Sequence, residues 1–269
     1  MCPVGGRLWD GVSRGATARL VCHCQLVETD RGLVLVDTGF GSDDVERPYE
    51  RLSALFIHAN RIQFEHRYTA QEQVRGRGFS PRDVRHIVLT HLDFDHAGGL
   101  EDFPNATVHV LQAEAEAALS RRGFIASRRY APPQWDRVRA WRFYDSGGER
   151  WFGFDAVRDL DGLPPEILMI PLPGHSAGHA GVAIDTADGW LLNAGDAYFH
   201  RHEMDPDPSC TPGLSAYQAL MEMDRSTRLH NRDRLRDLAN AGQGVRIFCS
   251  HDPVELEALR RLSSGPRPV

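Results

Sequence analysis

The chain has 269 residues, 41% of them hydrophobic and 25% charged, the make-up of an ordinary soluble globular protein with enough chain to bury a core. A formal net charge of −6 disfavours a general nucleic-acid partner. No apolar run approaches the ~18 residues of a membrane span, and the opening MCPVGGRLWDG lacks the basic-then-apolar order of a secretory signal, so a cytoplasmic protein with no membrane partner is expected.

Five cysteines, odd in number and scattered, do not suggest a disulfide framework. Cys22 and Cys24 flank His23, and a C-x-C can bind metal, but two residues two apart also share one face of a strand. No lysine occurs, which excludes a Schiff-base or phosphate-loop lysine. In chain order, ARLVCHCQLVETDRGLVLVDTG reads as two strands around Asp30-Arg31-Gly32. Residues 43–79 read as helices with connecting loops, and Ser80-Pro81 as a capped helical turn. Strands follow at 86–90 and 106–110, then a strong helix over 112–122. Residues 123–160 mix arginine with aromatics and prolines. They read as a structural lid rather than an RNA surface, given the acidic balance. EILMI is a strand, AGVAIDT and WLLNAGD form a hairpin, and residues 214–240 are mainly helical. VRIFCS is a strand, and HDPVELEALRRL is a closing helix with Asp252 as cap, Pro253 at its first position and Glu255 completing a capping box.

Four of these apolar strands, far apart in sequence, each run into a residue that can ligate a metal. They end at His91, His175, Asp196 and His251. Open α/β sheets place functional groups at the carboxyl ends of strands. Joined to the cluster His91-x-Asp93-x-Asp95-His96, the strand ends offer seven nitrogen and oxygen ligands, enough for two metal ions sharing a bridging carboxylate.

The ordered pieces VDTG (36–39), THLDFDHAGG (90–99), PGHSAGH (173–179), NAGDAY (193–198) and CSHD (249–252) resemble the metallo-β-lactamase superfamily. Within it, the Ala-Gly-Gly after His96 looks most like N-acyl homoserine lactonases and related lactone hydrolases. The resemblance implies an α/β fold, a four-layer αββα sandwich, in a single domain over 1–269 with lid or substrate insertions at about 45–75 and 120–160. It implies one metal on His91, Asp93 and His175, a second on Asp95, His96 and His251, and Asp196 bridging them. Asp37 would stand behind the ligands and hold their loop, and His179 would be a structural hydrogen-bonding residue.

Position 93 departs from the family's H-x-H-x-D-H. Four neutral histidines and three aspartates leave −3, which two divalent ions and a hydroxide neutralise, whereas the usual set stays positive. Carboxylate is also a harder ligand than imidazole. Two divalent ions are expected, zinc first, with iron or manganese made competitive by Asp93.

The expected chemistry is a binuclear hydrolase that cleaves a small-molecule lactone or other carboxylic ester by attack of a metal-bridged hydroxide. Asp95 and Asp196 would orient the nucleophile, and Tyr198 is a candidate oxyanion donor, although Phe199 stands nearer the lactonase tyrosine position. Thioester hydrolysis of the glyoxalase II kind uses the same machinery. An iron-dependent redox enzyme is the rival that Asp93 keeps open, and an exposed aromatic lid could support a homodimer.

Overall fold

Successive residues of the apolar runs face opposite ways and join different cores. Leu33, Leu35, Ile87, Leu89, Val108 and Val110 share one cluster with Ala70, Val74, Ala115 and Ala118 of two helices. Their neighbours Val34, Val36, Val88 and Leu111 share a second with Ile167, Met169, Val182 and Ile184. Leu168, Ile170, Ala183 and Leu192 face a third cluster with Leu235 and Leu238. Helix, sheet, sheet and helix are therefore stacked in that order, the expected αββα sandwich.

This computed structural model describes residues 1–263; the last six residues of the expected 1–269 domain lie outside it. The strands are β1 (Gln25–Thr29), β2 (Gly32–Val36), β3 (Val84–Val88), β4 (Thr107–Leu111), β5 (Trp141–Tyr144), β6 (Glu149–Trp151), β7 (Phe154–Asp159), β8 (Ile167–Pro171), β9 (Ala180–Thr186), β10 (Gly189–Asn193) and β11 (Val245–Phe248). The first sheet runs β1-β2-β3-β4-β5, with β2 to β5 parallel. The second runs β11-β10-β9-β8-β7-β6, with β10 and β11 parallel. Helices Ala70–Gly76 and Gln112–Ser120 cover the first sheet, and Arg225–Asn240 covers the second.

Several local expectations shift. Cys22 and Cys24 precede β1 rather than lying on it. The stretch 120–160 is in part sheet edge: β5 pairs with β4, and β7 pairs with β8. Asp252 does cap the closing helix Pro253–Ser263, accepting from the Val254 amide at 2.8 Å. Glu255 does not complete a capping box. Its carboxylate accepts instead from the Cys249 amide at 2.8 Å and the Tyr198 hydroxyl at 2.9 Å. Among the described residues no helix is long and apolar enough to cross a membrane.

Candidate active site

The loop after β3 is fixed before it reaches the ligands. The Asp37 carboxylate, at the end of β2, accepts from the Thr90 amide and hydroxyl, both at 2.8 Å, and lies 2.9 Å from His96 Nδ1. Asp37 holds φ at 55°, a left-handed conformation rare for a residue with a side chain. The Asp93 carbonyl accepts from the amides of His96 and Ala97, a single helical turn that folds the H-x-D-x-D-H run back on itself. The glycines then allow close approach: a Cβ on Gly98 would sit 2.3 Å from Asp44 Oδ2 and 2.6 Å from the Gly39 carbonyl.

All seven expected ligands come together. Asp196 lies at the centre, with its oxygens 3.8 Å from His91 Nε2, 3.4 Å from His96 Nε2, 3.4 Å from His175 Nε2 and 3.1 Å from His251 Nε2. Asp95 Oδ2 lies 3.7 Å from His251 Nε2, and Asp93 Oδ2 lies 3.1 Å from His175 Nε2 and 3.4 Å from His91 Nε2. Cys22 joins this edge, its sulfur 4.0 Å from Asp95 Oδ2, so one of the two C-x-C cysteines does approach the cluster.

His179 is the hydrogen-bonding residue expected of it. Its Nδ1 faces the Leu172 carbonyl at 3.0 Å and its Nε2 accepts the Asp196 amide at 2.8 Å. Burial pushes its pKa down to about 3, so the ring is neutral and fixed in one tautomer. Glu114, which sits within QAEAEAALS and is fully buried, was not expected at the site. It accepts from the Leu92 amide (3.0 Å), the Ser176 hydroxyl (2.6 Å) and the Gly178 amide (3.1 Å), tying the 90–96 loop to the 173–179 loop.

Tyr198 faces the other way. It belongs to the core between the second sheet and helix Arg225–Asn240, and its hydroxyl is spent on Glu255. Phe199 takes the inner position, stacked on His251 with ring centroids 5.0 Å apart. Against Phe199 packs Tyr217, on helix Pro212–Met221, at 6.1 Å. Burial, then Asp95, Asp93 and Asp196, push the Tyr217 hydroxyl well above its ordinary pKa, which places that group in the field of the cluster.

Arg129 is the other residue that sequence reasoning missed. Helix Ala126–Arg129 delivers it into the interior, fully buried. Its Nε and Nη2 donate to the two oxygens of Asp93 at 2.6 and 2.5 Å. Burial pushes the Asp93 carboxyl up, but Arg129 and then His91 outweigh it and hold the group well below the usual carboxylate range.

The family model of the metallo-beta-lactamase superfamily matches residues 17–251. The chain belongs to that superfamily. Among its relatives are the probable metallo-hydrolase Rv2300c of Mycobacterium tuberculosis, 41% identical over 87% of this chain and 72% of its own length. N-acyl homoserine lactonase AiiA of Bacillus thuringiensis subsp. kurstaki is 26% identical over 91% of this chain and 87% of its own length. A solved N-acyl homoserine lactone hydrolase, with the product N-hexanoyl-L-homoserine at its catalytic metal centre, shares the fold with a TM-score of 0.68. It is 22% identical over 96% of this chain and 91% of that one.

This superfamily member is a metal-dependent hydrolase, and the cluster can be tested for fit to an ion. His91 Nε2, His96 Nε2 and Asp196 Oδ1 are buried and have no hydrogen-bond partner. Facing polar atoms left unmet in this way are costly unless a cation joins them. Burial works to lower the His96 pKa, yet Asp196, Asp37 and Asp95 raise it well above the usual value, so the local field attracts positive charge. The ligand atoms of His91, His96 and Asp196 lie within 4.8 Å of one another and fit a divalent ion, and Asp95 and His251 stand beside them.

Proposed function

We propose that this chain hydrolyses a small-molecule lactone or other carboxylic ester. The observation that carries the reading is Asp196, a buried carboxylate met by four imidazoles from three loops, with orphaned nitrogen and oxygen atoms among them. A bound divalent ion, zinc first among the candidates, supplies Lewis acidity and lowers the pKa of a water molecule.

The protein's own groups do the rest. Asp95 and Asp196 orient the attacking water. Tyr217, kept protonated, donates to the oxyanion that forms on the substrate carbonyl, the part first assigned to Tyr198. Asp95, at the edge of the cluster beside His251, is the carboxyl positioned to pass a proton to the leaving alkoxide. Phe94, between Asp93 and Asp95, continues into an apolar wall with Phe40 at 6.0 Å and Phe56 at 5.0 Å, a surface suited to an acyl group. Residues 52–64 supply much of that wall, consistent with a substrate-binding role for the 45–75 insertion. A cavity of about 1130 Å³ runs past Cys22, Phe40 and Trp190 rather than over the ligands, so the reading rests on the ligand geometry. The redox alternative loses its support, because the Asp93 charge that favoured iron is taken up by Arg129.

The test is a panel of acyl homoserine lactones, simple esters, thioesters and phosphodiesters, assayed with metal-loaded and chelator-stripped protein. Metal-dependent turnover of lactones or esters above the other classes is expected. Preference for thioesters or phosphodiesters, or turnover that survives full metal removal, would overturn the reading.

A further inference from the structure

The half of the cluster around Asp93 and His175 already holds a cation, the guanidinium of Arg129. A guanidinium has five N–H donors. Arg129 Nε donates to Asp93 Oδ1 (2.6 Å), and Nη2 to Asp93 Oδ2 (2.5 Å) and His175 Nε2 (2.6 Å). Nη1 donates to the carbonyls of His175 (3.1 Å) and Met221 (2.8 Å). All five donors are used, and two of the acceptors are the atoms that the superfamily motif assigns to the first ion. A neutral imidazole has one lone pair for Nε2 to offer. If it accepts from Arg129, it is not free to ligate a metal.

The guanidinium has nowhere to withdraw. It is fully buried, with the Tyr130 ring 5.6 Å away and its own helix backbone bonded into the ligand loop through the Phe94 amide and the Arg129 carbonyl. A divalent ion between His91, Asp93 and His175 would have to share that space with a fixed positive charge. By contrast, His96 Nε2 and Asp196 Oδ1, both unmet, lie on the other side, and His91 Nε2, also unmet, stands between the halves, 3.4 Å from Asp93 Oδ2 and 3.8 Å from Asp196 Oδ2.

We propose that Arg129 is the resident cation of the Asp93–His175 position, so that the chain takes a single divalent ion, among Asp95, His96, Asp196 and His251, with His91 standing between the two positions. The substitution of aspartate for the family's histidine and the arrival of a buried arginine are then one change. A carboxylate at position 93 needs a partner of opposite charge, and the arginine that supplies it displaces a metal. This rests on the metal-hydrolase reading but differs from the two-ion expectation of the motif.

The test reads ion count rather than rate. Wild-type protein is stripped, titrated with excess zinc, and measured by native mass spectrometry and elemental analysis; one tightly held ion per chain is expected. The variant Asp93→His/Arg129→Met, which removes both charges and restores the family's imidazole, is expected to take two. Diffraction from cobalt-loaded wild-type crystals should give one anomalous peak, nearer Asp95 and His251 than Asp93. Two tightly bound ions in the wild type would overturn the proposal whether or not any variant folds, and so would a folded double variant that still takes only one. No bound metal at all would sink the hydrolase reading as well, whereas two ions would leave that reading standing.

Discussion

The two halves of the cluster are built on the same distance scale and end in opposite states. Around His96, Asp95 and His251, ring nitrogens lie 3.1–4.0 Å from carboxylate oxygens, and His96 Nε2 and Asp196 Oδ1 have no hydrogen-bond partner. Around Asp93 and His175, a guanidinium spends three donors on the same kinds of atom and two on backbone carbonyls. Proximity of ligand-type residues is therefore a poor guide to ion count. What separates a metal site from an ion pair is whether the facing atoms still have a lone pair to give.

The sharpest way to break the comparison is to disable the open half. Asp196→Asn leaves the shape but removes the central charge, and is expected to lose the bound ion and take hydrolysis to background; elemental analysis beside a lactone assay checks both. Next comes the donor. Tyr217→Phe should lower kcat by roughly 10²–10³ with little change in KM, the size typical of a lost oxyanion donor. Tyr198→Phe, whose hydroxyl serves only Glu255, should leave kcat within a few-fold. If the two tyrosines exchange effects, the donor role given to Tyr217 is wrong. A smaller effect is expected behind the ligands. Asp37→Asn should weaken metal affinity about 10–100-fold, read by competition with a zinc chelator, because the Asp37 carboxylate orients His96.

The seven residues that meet in the cluster were legible because each belongs to an apolar strand or to the short loop that follows it, and strand and loop are local in sequence. The αββα layering was expected from the resemblance to the superfamily, and the two-residue alternation of the LVLV run divides its side chains between two cores as that layering requires. Arg129 was not legible. It lies 36 residues from Asp93, in a stretch whose arginines and aromatics read as surface, and only the tertiary fold brings them together. One signal was available: a carboxylate in a site about to be buried demands a cation, and with no lysine in the chain that cation had to be an arginine or a metal. Glu114 was hidden by its own helix, where QAEAEAALS looks like a solvated face. Tyr198 was misassigned because two residues on from Asp196 the chain has already turned its side chain into the opposite core.

The mildest perturbation bears on what braces the open half from behind. Glu255 holds the Cys249 amide, two residues before His251, and the Tyr198 hydroxyl, two residues after Asp196. Burial pushes its pKa up to about 7 from an ordinary 4.5. Below the ordinary value it is protonated whether the chain is folded or not. Between there and pH 7 the folded chain holds a proton that the unfolded chain has released, so stability falls as pH rises through that window. The full cost, no more than about 3 kcal/mol, is reached above it. Thermal melts from pH 4.5 to 8 should show that decline, and Glu255→Gln, which keeps an acceptor oxygen for Tyr198 without the charge, should flatten it. Because Arg129 and Asp93 stand apart from this brace, the Asp93→His/Arg129→Met variant should keep the wild-type slope. A slope that followed that variant instead would mean the two halves are mechanically coupled, and the division between an open half and a saturated one would have to be given up.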